Sequence, residues 1–344
     1  MINVGIIGCG KIAQKRHIPE YLENIDANIV GYYDLNHARA EAIGKTYGGT
    51  AFESIEDLLA DSSIDAVSVC TANHTHAAIT IQALQAGKHV LCEKPMATTL
   101  EDCQAMVDAA QKAGKVLVIG QNQRLTKTHV KARQLIRGGE IGEIIGFRTT
   151  FGHGGPETWS IDPGKNTWFF DKNIAVMGAM ADLGIHKTDL LLFLTDQMIV
   201  ETTAHLTTID KRGADGDLIQ VDDTAICVYK LDNGALGTMT ASWTFYGPED
   251  NTTIIYGTKG IMRLYEDPRF SIQLFLKGGE KIYYEIDAIQ TNDNQTSSGV
   301  IDAFIESVVT GQGGELAADK VLESMKVVFA SIESSQTGKT VKIR

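Results

Sequence analysis

The amino-terminal segment constrains the fold of this chain more than any other feature. Residues 2–7 form a short apolar run typical of a buried strand, and the residues that follow at once are Gly8-Cys9-Gly10-Lys11-Ile12-Ala13. In a dinucleotide-binding turn of this pattern, Gly8 permits the tight bend, Gly10 admits a pyrophosphate, and small Ala13 lets the helix pack closely. A helix beginning near Lys11 would direct its free amide groups at the phosphates. The chain is therefore predicted to open with a nucleotide-binding βαβ unit.

The choice of nucleotide is predicted by the end of the second strand. Residues 28–33 read as a strand that ends in Asp34. A carboxylate at about this separation from the glycine turn binds the adenosine ribose hydroxyls. It also repels a 2′-phosphate, and the next residues, Leu35 and Asn36, supply no positive charge. We predict NAD rather than NADP; the alternative is a structural glycine turn beside a capping Asp34.

The pattern of secondary structure predicts two domains. Strand-like and helix-like segments alternate through residues 1–122, as in a doubly wound parallel sheet. From residue 123 onward, runs of alternating polarity are separated by turns such as Asp232-Asn233-Gly234, which favour antiparallel hairpins. We predict an α/β Rossmann domain at residues 1–122 and an α+β domain with a large, mostly antiparallel open sheet at residues 123–344.

The open sheet also predicts self-association. Such a sheet is usually covered by helices on one face, and residues expected on the other are Trp243, Phe245, Tyr283 and Tyr284. An apolar face of this kind favours a homo-oligomer, either a homodimer or a homotetramer. Scattered surface aromatic residues are the alternative.

Bulk composition excludes several other classes of protein. The 344 residues are 43% hydrophobic and 22% charged, which is ordinary for globular domains. A net charge of −12 argues against nucleic acid or an anionic membrane as partner, and no apolar run reaches membrane-spanning length. The five cysteines show no zinc-type spacing, and the chain starts directly with a strand rather than a secretory leader. We therefore expect a reduced, cytoplasmic protein without a metal.

The hexapeptide Leu91-Cys92-Glu93-Lys94-Pro95-Met96 is the first candidate for chemistry. It follows a strand-like run at residues 88–91 and precedes Thr98, a predicted cap for the next helix. Ligands of α/β proteins bind at the carboxyl ends of parallel strands, so Lys94 is the candidate for contacting a substrate. Pro95 would fix the turn, and a cis Lys94–Pro95 bond is one way to do so. The alternative is a surface turn with an ordinary ion pair.

A second candidate lies in the sequence Asp182-Leu183-Gly184-Ile185-His186. Asp182 and His186 are four residues apart in a helical pattern and therefore share one face. Histidine can accept a hydroxyl proton near neutral pH, and a carboxylate can orient its ring. The alternatives are a helix cap with an interior histidine, or a zinc site, for which no convincing third ligand is nearby.

Taken together, these segments resemble the glucose–fructose oxidoreductase, inositol dehydrogenase and rhizopine-catabolism (GFO/IDH/MocA) family over essentially the whole chain. The matching segments are Gly8-Cys9-Gly10-Lys11-Ile12-Ala13, Thr71-Ala72-Asn73-His74-Thr75-His76, Glu93-Lys94-Pro95 and Asp182-Leu183-Gly184-Ile185-His186-Lys187-Thr188-Asp189. The resemblance implies an NAD-dependent oxidoreductase acting on a secondary alcohol of a sugar, cyclitol or related polyol. A non-catalytic regulator that senses NAD or a sugar, and an NAD-dependent glycosidase, are the alternative functions.

The resemblance also implies roles for individual residues. Lys94, Asp182 and His186 match the family's catalytic group, with His186 as base and Lys94 beside the reacting oxygen. Glu93 matches a residue near the nicotinamide ribose. The predicted cofactor-binding residues are Gly8, Gly10, Lys11, Ile12, Asp34, Thr71, Asn73, His76, Glu93, Lys94 and Gln121.

One departure from the family pattern concerns the substrate side. The family commonly has three glycines before the Asp182–His186 segment, whereas here Val176 and Met177 precede Gly178. Larger side chains there are expected to narrow the pocket or shift the backbone. Further side chains that could line a pocket, although structural or exposed roles are favoured for each, are Arg124, His153, Trp159, Lys165 and Trp168.

Overall fold

The computed structural model describes residues 1–288 and 297–343, and within them the first sheet has six parallel strands. Its spatial order is β3-β2-β1-β4-β5-β6, with the crossover between the two halves beside β1. The strands are β1 (Ile2–Ile7), β2 (Ala27–Tyr33), β3 (Thr50–Ala51), β4 (Ala66–Val69), β5 (His89–Cys92) and β6 (Leu117–Ile119). β1, β4 and β6 are almost continuously apolar and buried because helices cover both faces of a doubly wound sheet. The predicted Rossmann fold is therefore confirmed.

The helices of this part connect the parallel strands. They are α1 (Ile18–Glu23), α2 (His37–Tyr47), α3 (Ile55–Ala60), α4 (His76–Gln85) and α5 (Leu100–Ala113). A π-helical turn at Ala13–His17 precedes α1. The predicted cap of α5 is wrong by one residue: the Thr99 side chain, not that of Thr98, accepts the Asp102 amide, because Thr99 has the extended backbone that an N-cap needs.

The second sheet has nine strands among the described residues and is mostly antiparallel. Its order is β14-β13-β12-β11-β7-β10-β9-β8-β15, and β7 pairs with β10 in parallel. The strands are β7 (Ile144–Gly152), β8 (Ile199–Thr207), β9 (Thr224–Leu231), β10 (Leu236–Ser242), β11 (Thr253–Gly257), β12 (Gly260–Asp267), β13 (Phe270–Leu276), β14 (Lys281–Tyr284) and β15 (Val341–Lys342). The helices that complete the chain are α6 (Lys127–Arg137), α7 (Ile185–Thr195), α8 (Val300–Thr310) and α9 (Ala318–Thr337). The predicted α+β domain with a large open sheet is confirmed.

One face of this sheet is exposed. Along β9, Cys227 and Tyr229 are buried whereas Ile226 and Val228 are 48% and 45% exposed, and Leu236 on β10 is 57% exposed. One aromatic residue predicted for this face lies elsewhere, since Trp243 is fully buried beyond the end of β10. Phe245 is partly buried and lies against Gly152 at the end of β7.

The remaining two aromatic residues of that prediction lie on β14 and point to opposite faces. Tyr283 is 43% exposed, as predicted, whereas the Tyr284 ring packs under the Lys131 ammonium of α6. The prediction was wrong for Tyr284 because neighbouring residues of a strand alternate between faces.

Contacts divide the chain into two compact units. The first is Met1–Asn122 together with α8 and the start of α9 through Glu323, and the second begins at Gln123 and resumes at Ser324. The division at residue 122 assigned α8 to the second domain, and those domain boundaries stay a prediction. Among the described helices, none is both long and apolar enough to cross a membrane.

Candidate active site

The glycine turn after β1 has the backbone that a bound pyrophosphate requires. Gly8 has φ +92°, and a Cβ there would lie 2.7 Å from the Cys70 carbonyl, so only glycine fits. At Gly10 a Cβ would meet nothing within 4 Å, which leaves open space above the turn. Lys11 and Ile12 begin the helical segment that continues into α1. These features fit the close backbone approach of a dinucleotide phosphate.

Asp34 lies beside this turn at the end of β2. Its carboxylate accepts hydrogen bonds from the amides of Cys9 (2.7 Å) and Asn36 (2.8 Å), which fix its orientation. Arg39 of α2, a residue missed by the sequence reasoning, has its guanidinium 3.5 Å from the same carboxylate. Arg39 lies in the first turn of the helix after Asp34, and that position could have indicated a cation beside the carboxylate.

Glu93 lies in a buried charge network at the end of β5. Its carboxylate pairs with the Arg16 guanidinium and accepts from His17 Nε2 at 2.8 Å, and all three side chains are at most 5% exposed. Despite burial, Arg16 and His17 hold the pKa of Glu93 well below its usual range. Both partners come from the π-helical turn at Ala13–His17, whose wider spacing presents successive side chains to one carboxylate. The placement of Glu93 near the nicotinamide ribose stays a prediction.

The turn formed by Glu93, Lys94 and Pro95 is held by hydrogen bonds from within the turn and from His76 of α4. The Lys94 amide donates to the Glu93 carboxylate at 3.2 Å, and the Lys94–Pro95 bond is cis, as predicted. The Lys94 side chain is half-buried. The His76 ring at the start of α4 has Nδ1 2.7 Å from the Pro95 carbonyl and Nε2 3.0 Å from the Thr71 carbonyl.

The other predicted cofactor residues of the first unit follow strand ends. Thr71 comes after β4 and accepts from the Thr75 hydroxyl at 2.8 Å, and Asn73 is buried in the short turn between them. Gln121 follows β6, is fully buried, and has neither side-chain amide atom hydrogen-bonded within the described ranges. A buried amide of this kind is a site where a cofactor group can supply the missing partner.

In the second unit, Asp182 lies just before α7 and His186 lies in its first turn. A π-helical turn, Met180–Gly184, carries Asp182, and both side chains are 7% exposed. The Trp243 indole donates to Asp182 Oδ2 at 3.0 Å. The His186 ring lies 6.0 Å from the ring of Phe151 on β7. The carboxylate and the imidazole therefore each have an aromatic neighbour, the buried Trp243 for Asp182 and the partly buried Phe151 for His186.

The segment before this turn is held by Asp222, which the sequence reasoning missed. Its half-buried carboxylate accepts hydrogen bonds from the amides of Gly178 (2.8 Å) and Met180 (2.7 Å) and thereby caps the π-helical turn. Burial raises the pKa of Asp222 to about 6. A Cβ on Gly178 would lie 1.8 Å from the Asp222 carbonyl oxygen, so this glycine is required by packing.

Val176 stands where the family pattern has a glycine, and its backbone is strained. It has φ +65°, in the left-handed region that glycine tolerates and that is strained for a β-branched residue. A bulky side chain therefore stands at a position whose backbone favours glycine. Met177 is buried.

Two buried cations near this helix have structural partners. Arg124 makes a bidentate pair with Asp189 of α7, with both distances 2.7 Å. Lys187, next to His186, is fully buried and donates to the Asn251 carbonyl at 2.9 Å, and burial lowers its pKa to about 7. The sequence reasoning did not single out Lys187 because one lysine in an apolar helix carries no distinctive pattern.

Comparison with known proteins identifies the family. Residues 2–121 match the model of an oxidoreductase family with an NAD-binding Rossmann fold, and residues 129–263 match the GFO/IDH/MocA C-terminal domain. The chain belongs to the GFO/IDH/MocA family. The family predicted from the motifs and the NAD-binding Rossmann fold are thereby confirmed.

Individual relatives agree with this family. The chain is 32% identical to levoglucosan dehydrogenase of Pseudarthrobacter phenanthrenivorans over 63% of its length, and 34% identical to glucose-6-phosphate 3-dehydrogenase of Bacillus subtilis over 68%. The chain spans 59% and 65% of the length of these two relatives. A solved structure of levoglucosan dehydrogenase with NADH and levoglucosan is similar over 99% of both chains, with a TM-score of 0.84 and 25% identity.

Proposed function

We propose that this protein is an NAD-dependent oxidoreductase that transfers hydride between a secondary alcohol of a sugar, cyclitol or related polyol and the nicotinamide. The observation that carries the proposal is the pair Asp182 and His186, buried on successive turns with the carboxylate oriented by Trp243. An imidazole with an oriented carboxylate neighbour is suited to removing a hydroxyl proton at neutral pH. Membership of an NAD-binding oxidoreductase family supports the same conclusion.

The residues of the first unit would hold the cofactor. The open backbone at Gly10 and the amides of Lys11 and Ile12 would contact its phosphates, and Asp34 would accept from its ribose hydroxyls. Thr71, Asn73, His76 and Gln121 are proposed to line the site further along the strand ends. When bound, NAD supplies the ring that takes up or returns the hydride.

The three residues of the catalytic group would each have a separate role: one removes the proton, and two stabilise the charges that develop. His186 removes the proton of the reacting hydroxyl, and Asp182 stabilises the imidazolium that results. Lys94 donates a hydrogen bond to the same oxygen and stabilises the negative charge that develops there.

A substrate panel tests the reaction class. Sugars, cyclitols and linear polyols are supplied singly with NAD, and formation of the reduced cofactor is followed by its absorbance. Net reduction with one class supports the proposal. Release of a sugar from a glycoside without net reduction would instead indicate a glycosidase, and binding without any turnover would indicate a sensor.

Matched substitutions test the assigned roles. His186→Ala should lower kcat by about 10²- to 10⁴-fold, the usual contribution of a general base. His205→Ala is the control because that histidine is exposed on β8. Lys94→Met should also lower kcat, and Lys112→Met, at an exposed position in α5, should not. Wild-type turnover in His186→Ala would remove the base from the mechanism.

We also propose that the protein is a homo-oligomer, a homodimer or homotetramer, joined through the exposed face of the second sheet. Ile226, Val228 and Leu236 support this because large apolar side chains are exposed side by side on β9 and β10. Light scattering of the native chain should give a multiple of 37.3 kDa, and Val228→Lys should reduce that mass. A single-chain mass at micromolar concentration would rule out the assembly.

A cytoplasmic location is proposed as well. All five cysteines are buried free thiols, which is ordinary in a reducing compartment. Cell fractionation tests this, and recovery outside the cytoplasm would contradict it.

A further inference from the structure

A chain of aromatic rings connects the two residues proposed for proton transfer. It starts at His186, whose ring contacts Phe151, and continues to His153 at 5.9 Å and to Trp159 at 6.1 Å. It then passes to Phe169 at 5.1 Å and ends at Trp243, which donates to Asp182. We call this the aromatic cluster; its members are Phe151, His153, Trp159, Trp168, Phe169 and Trp243.

The cluster presents accessible ring surface. Trp243 is fully buried and anchors one end, whereas Trp159, Trp168 and Phe169 are only partly buried. Trp168 stacks on Phe169 with ring centres 3.8 Å apart and an angle of 25° between the planes. Two rings held nearly parallel form a flat apolar surface, and Phe169 connects it to Trp243, which donates to Asp182.

The segment that carries these rings is fixed in place. The Lys211 ammonium donates to the Gly154 carbonyl and forms an ion pair with Glu157. These two contacts hold the chain just before Trp159 in place. The chain that leads into Trp159 is therefore ordered before a ligand binds, which reduces the ordering cost of binding.

One polar group in the cluster has no hydrogen-bond partner. Within residues 1–288 and 297–343, the buried indole Nε1 of Trp159 donates to no acceptor. A buried donor of this kind is costly unless a ligand oxygen completes it. An indole N–H lies in the plane of its ring, so a ligand hydroxyl that reaches the edge of the Trp159 ring, rather than its face, would accept this hydrogen bond.

Two buried cations near the cluster give an anionic ligand little to bind. Lys187 lies 5.8 Å from the centre of the Phe151 ring, but it is fully buried and donates to the Asn251 carbonyl. Lys211 is committed to Glu157 and the Gly154 carbonyl. These cations already have protein acceptors, so a phosphate on the ligand would gain little from them.

We infer that the aromatic cluster is the substrate subsite and that it takes an uncharged, closed-ring sugar whose C–H face stacks on Trp168 while one of its hydroxyls accepts from the Trp159 indole N–H. The negative faces of aromatic rings attract the slightly positive C–H groups of a pyranose. Apolar pocket walls with a few placed polar groups are typical of small-ligand sites. The inference rests on the proposed function and refines it from sugars and polyols in general to neutral ring sugars.

The tryptophans provide a direct binding assay. The three tryptophans of the chain all belong to the cluster, so tryptophan fluorescence reports on this surface alone. Titration of the full chain, with and without NAD, uses methyl glucoside, glucose 6-phosphate and the open-chain polyol glucitol. The glucoside should change the fluorescence saturably and with at least about 10-fold higher affinity than the other two.

Variants separate ring stacking from the indole hydrogen bond. Trp168→Ala should raise the Kd for the glucoside about 10-fold, and Trp168→Phe should restore most of the loss because it keeps a flat ring. Trp159→Phe, which keeps a ring and removes the N–H, should weaken binding by about 3- to 10-fold. Tyr283→Ala is the control, since that aromatic side chain is on β14 and its ring contacts are with Phe270 and Phe275.

The outcomes distinguish this inference from the proposed function. Turnover of the glucoside that is unaffected by Trp168→Ala and Trp159→Phe would overturn the subsite and leave the oxidoreductase intact. Saturable fluorescence changes without any cofactor reduction would support the subsite and overturn the enzyme. Tighter binding of glucose 6-phosphate or glucitol than of the glucoside, or no response to any of the three, would overturn the inference.

Discussion

Removal of the Arg16 guanidinium should strongly destabilise the first unit. Arg16 and Glu93 form an ion pair with each side chain only 5% exposed, so Arg16→Met leaves a carboxylate buried without its main counter-charge. Breaking a buried pair from one side typically costs about 3–5 kcal/mol. Because His17 still donates to Glu93 at 2.8 Å and the Lys94 amide at 3.2 Å, we expect the lower end, about 3 kcal/mol.

Thermal unfolding measures this effect. For a unit of this size, about 3 kcal/mol corresponds to a fall in Tm of roughly 6–12 °C. The matched control is Arg137→Met, which breaks an ion pair with Asp196 whose arginine is 56% exposed and should cost at most about 1 kcal/mol. The double variant Arg16→Met/Glu93→Gln should lose less unfolding free energy than the sum of the losses in the two single variants, because both remove the same ion pair.

The pH dependence has a defined sign. The folded-state pKa of Glu93 is lowered, so its contribution to stability is present above the unfolded-state value of about 4.3 and is lost as the pH falls through the folded-state value. The difference between wild type and Arg16→Met should therefore shrink as the pH is lowered below about 4. Equal Tm changes in Arg16→Met and Arg137→Met would refute the argument that Glu93 depends on Arg16.

Three further substitutions test the second unit by urea unfolding. Val176→Asn should stabilise the protein by about 0.5–1.5 kcal/mol, since Asn tolerates the left-handed φ of +65° better than Val; a loss of stability would show that the Val176 side chain is needed. Gly178→Ala should lower the unfolding free energy by more than about 3 kcal/mol because the new Cβ would overlap the Asp222 carbonyl. Gly154→Ala is the control, since a Cβ there meets nothing within 4 Å, and equal losses in the two variants would contradict the packing argument. Lys187 has a pKa lowered by burial to about 7, so wild type should gain stability as the pH rises from 7 toward the unfolded-state value of about 10.4. Lys187→Met should remove that gain, and an unchanged pH profile would exclude Lys187 as its source.

Much of the architecture could be predicted because it depends on local patterns. The glycine turn at Gly8, the alternation of strand and helix, and the hairpin turn at Asp232-Asn233-Gly234 each follow from neighbouring residues. The parallel pairing of β7 with β10 could not be predicted in the same way, because it joins segments far apart in sequence.

The sequence could predict which residues form the candidate site but not which residues contact them. Asp182 and His186 share a helix face, which spacing alone indicates, whereas the Trp243 and Asp222 contacts depend on tertiary packing. Trp243 was assigned to an exposed sheet face because an aromatic residue near a strand end gives no sign of which face it packs on. The two π-helical turns were missed for a similar reason, since one added residue in a helix leaves no marked change in composition.

The position of His76 has a consequence for the proton that it carries. Burial lowers the pKa of this imidazole, so at neutral pH the ring is uncharged and has a single N–H. Its two nitrogens nevertheless face two carbonyl oxygens, those of Pro95 and Thr71. Only one of the two carbonyl oxygens can therefore accept a hydrogen bond from the ring at a time, and the other oxygen faces a nitrogen lone pair. The tautomer of one histidine thus selects which strand-end loop is tied to α4, and uptake of a second proton in acid would tie down both.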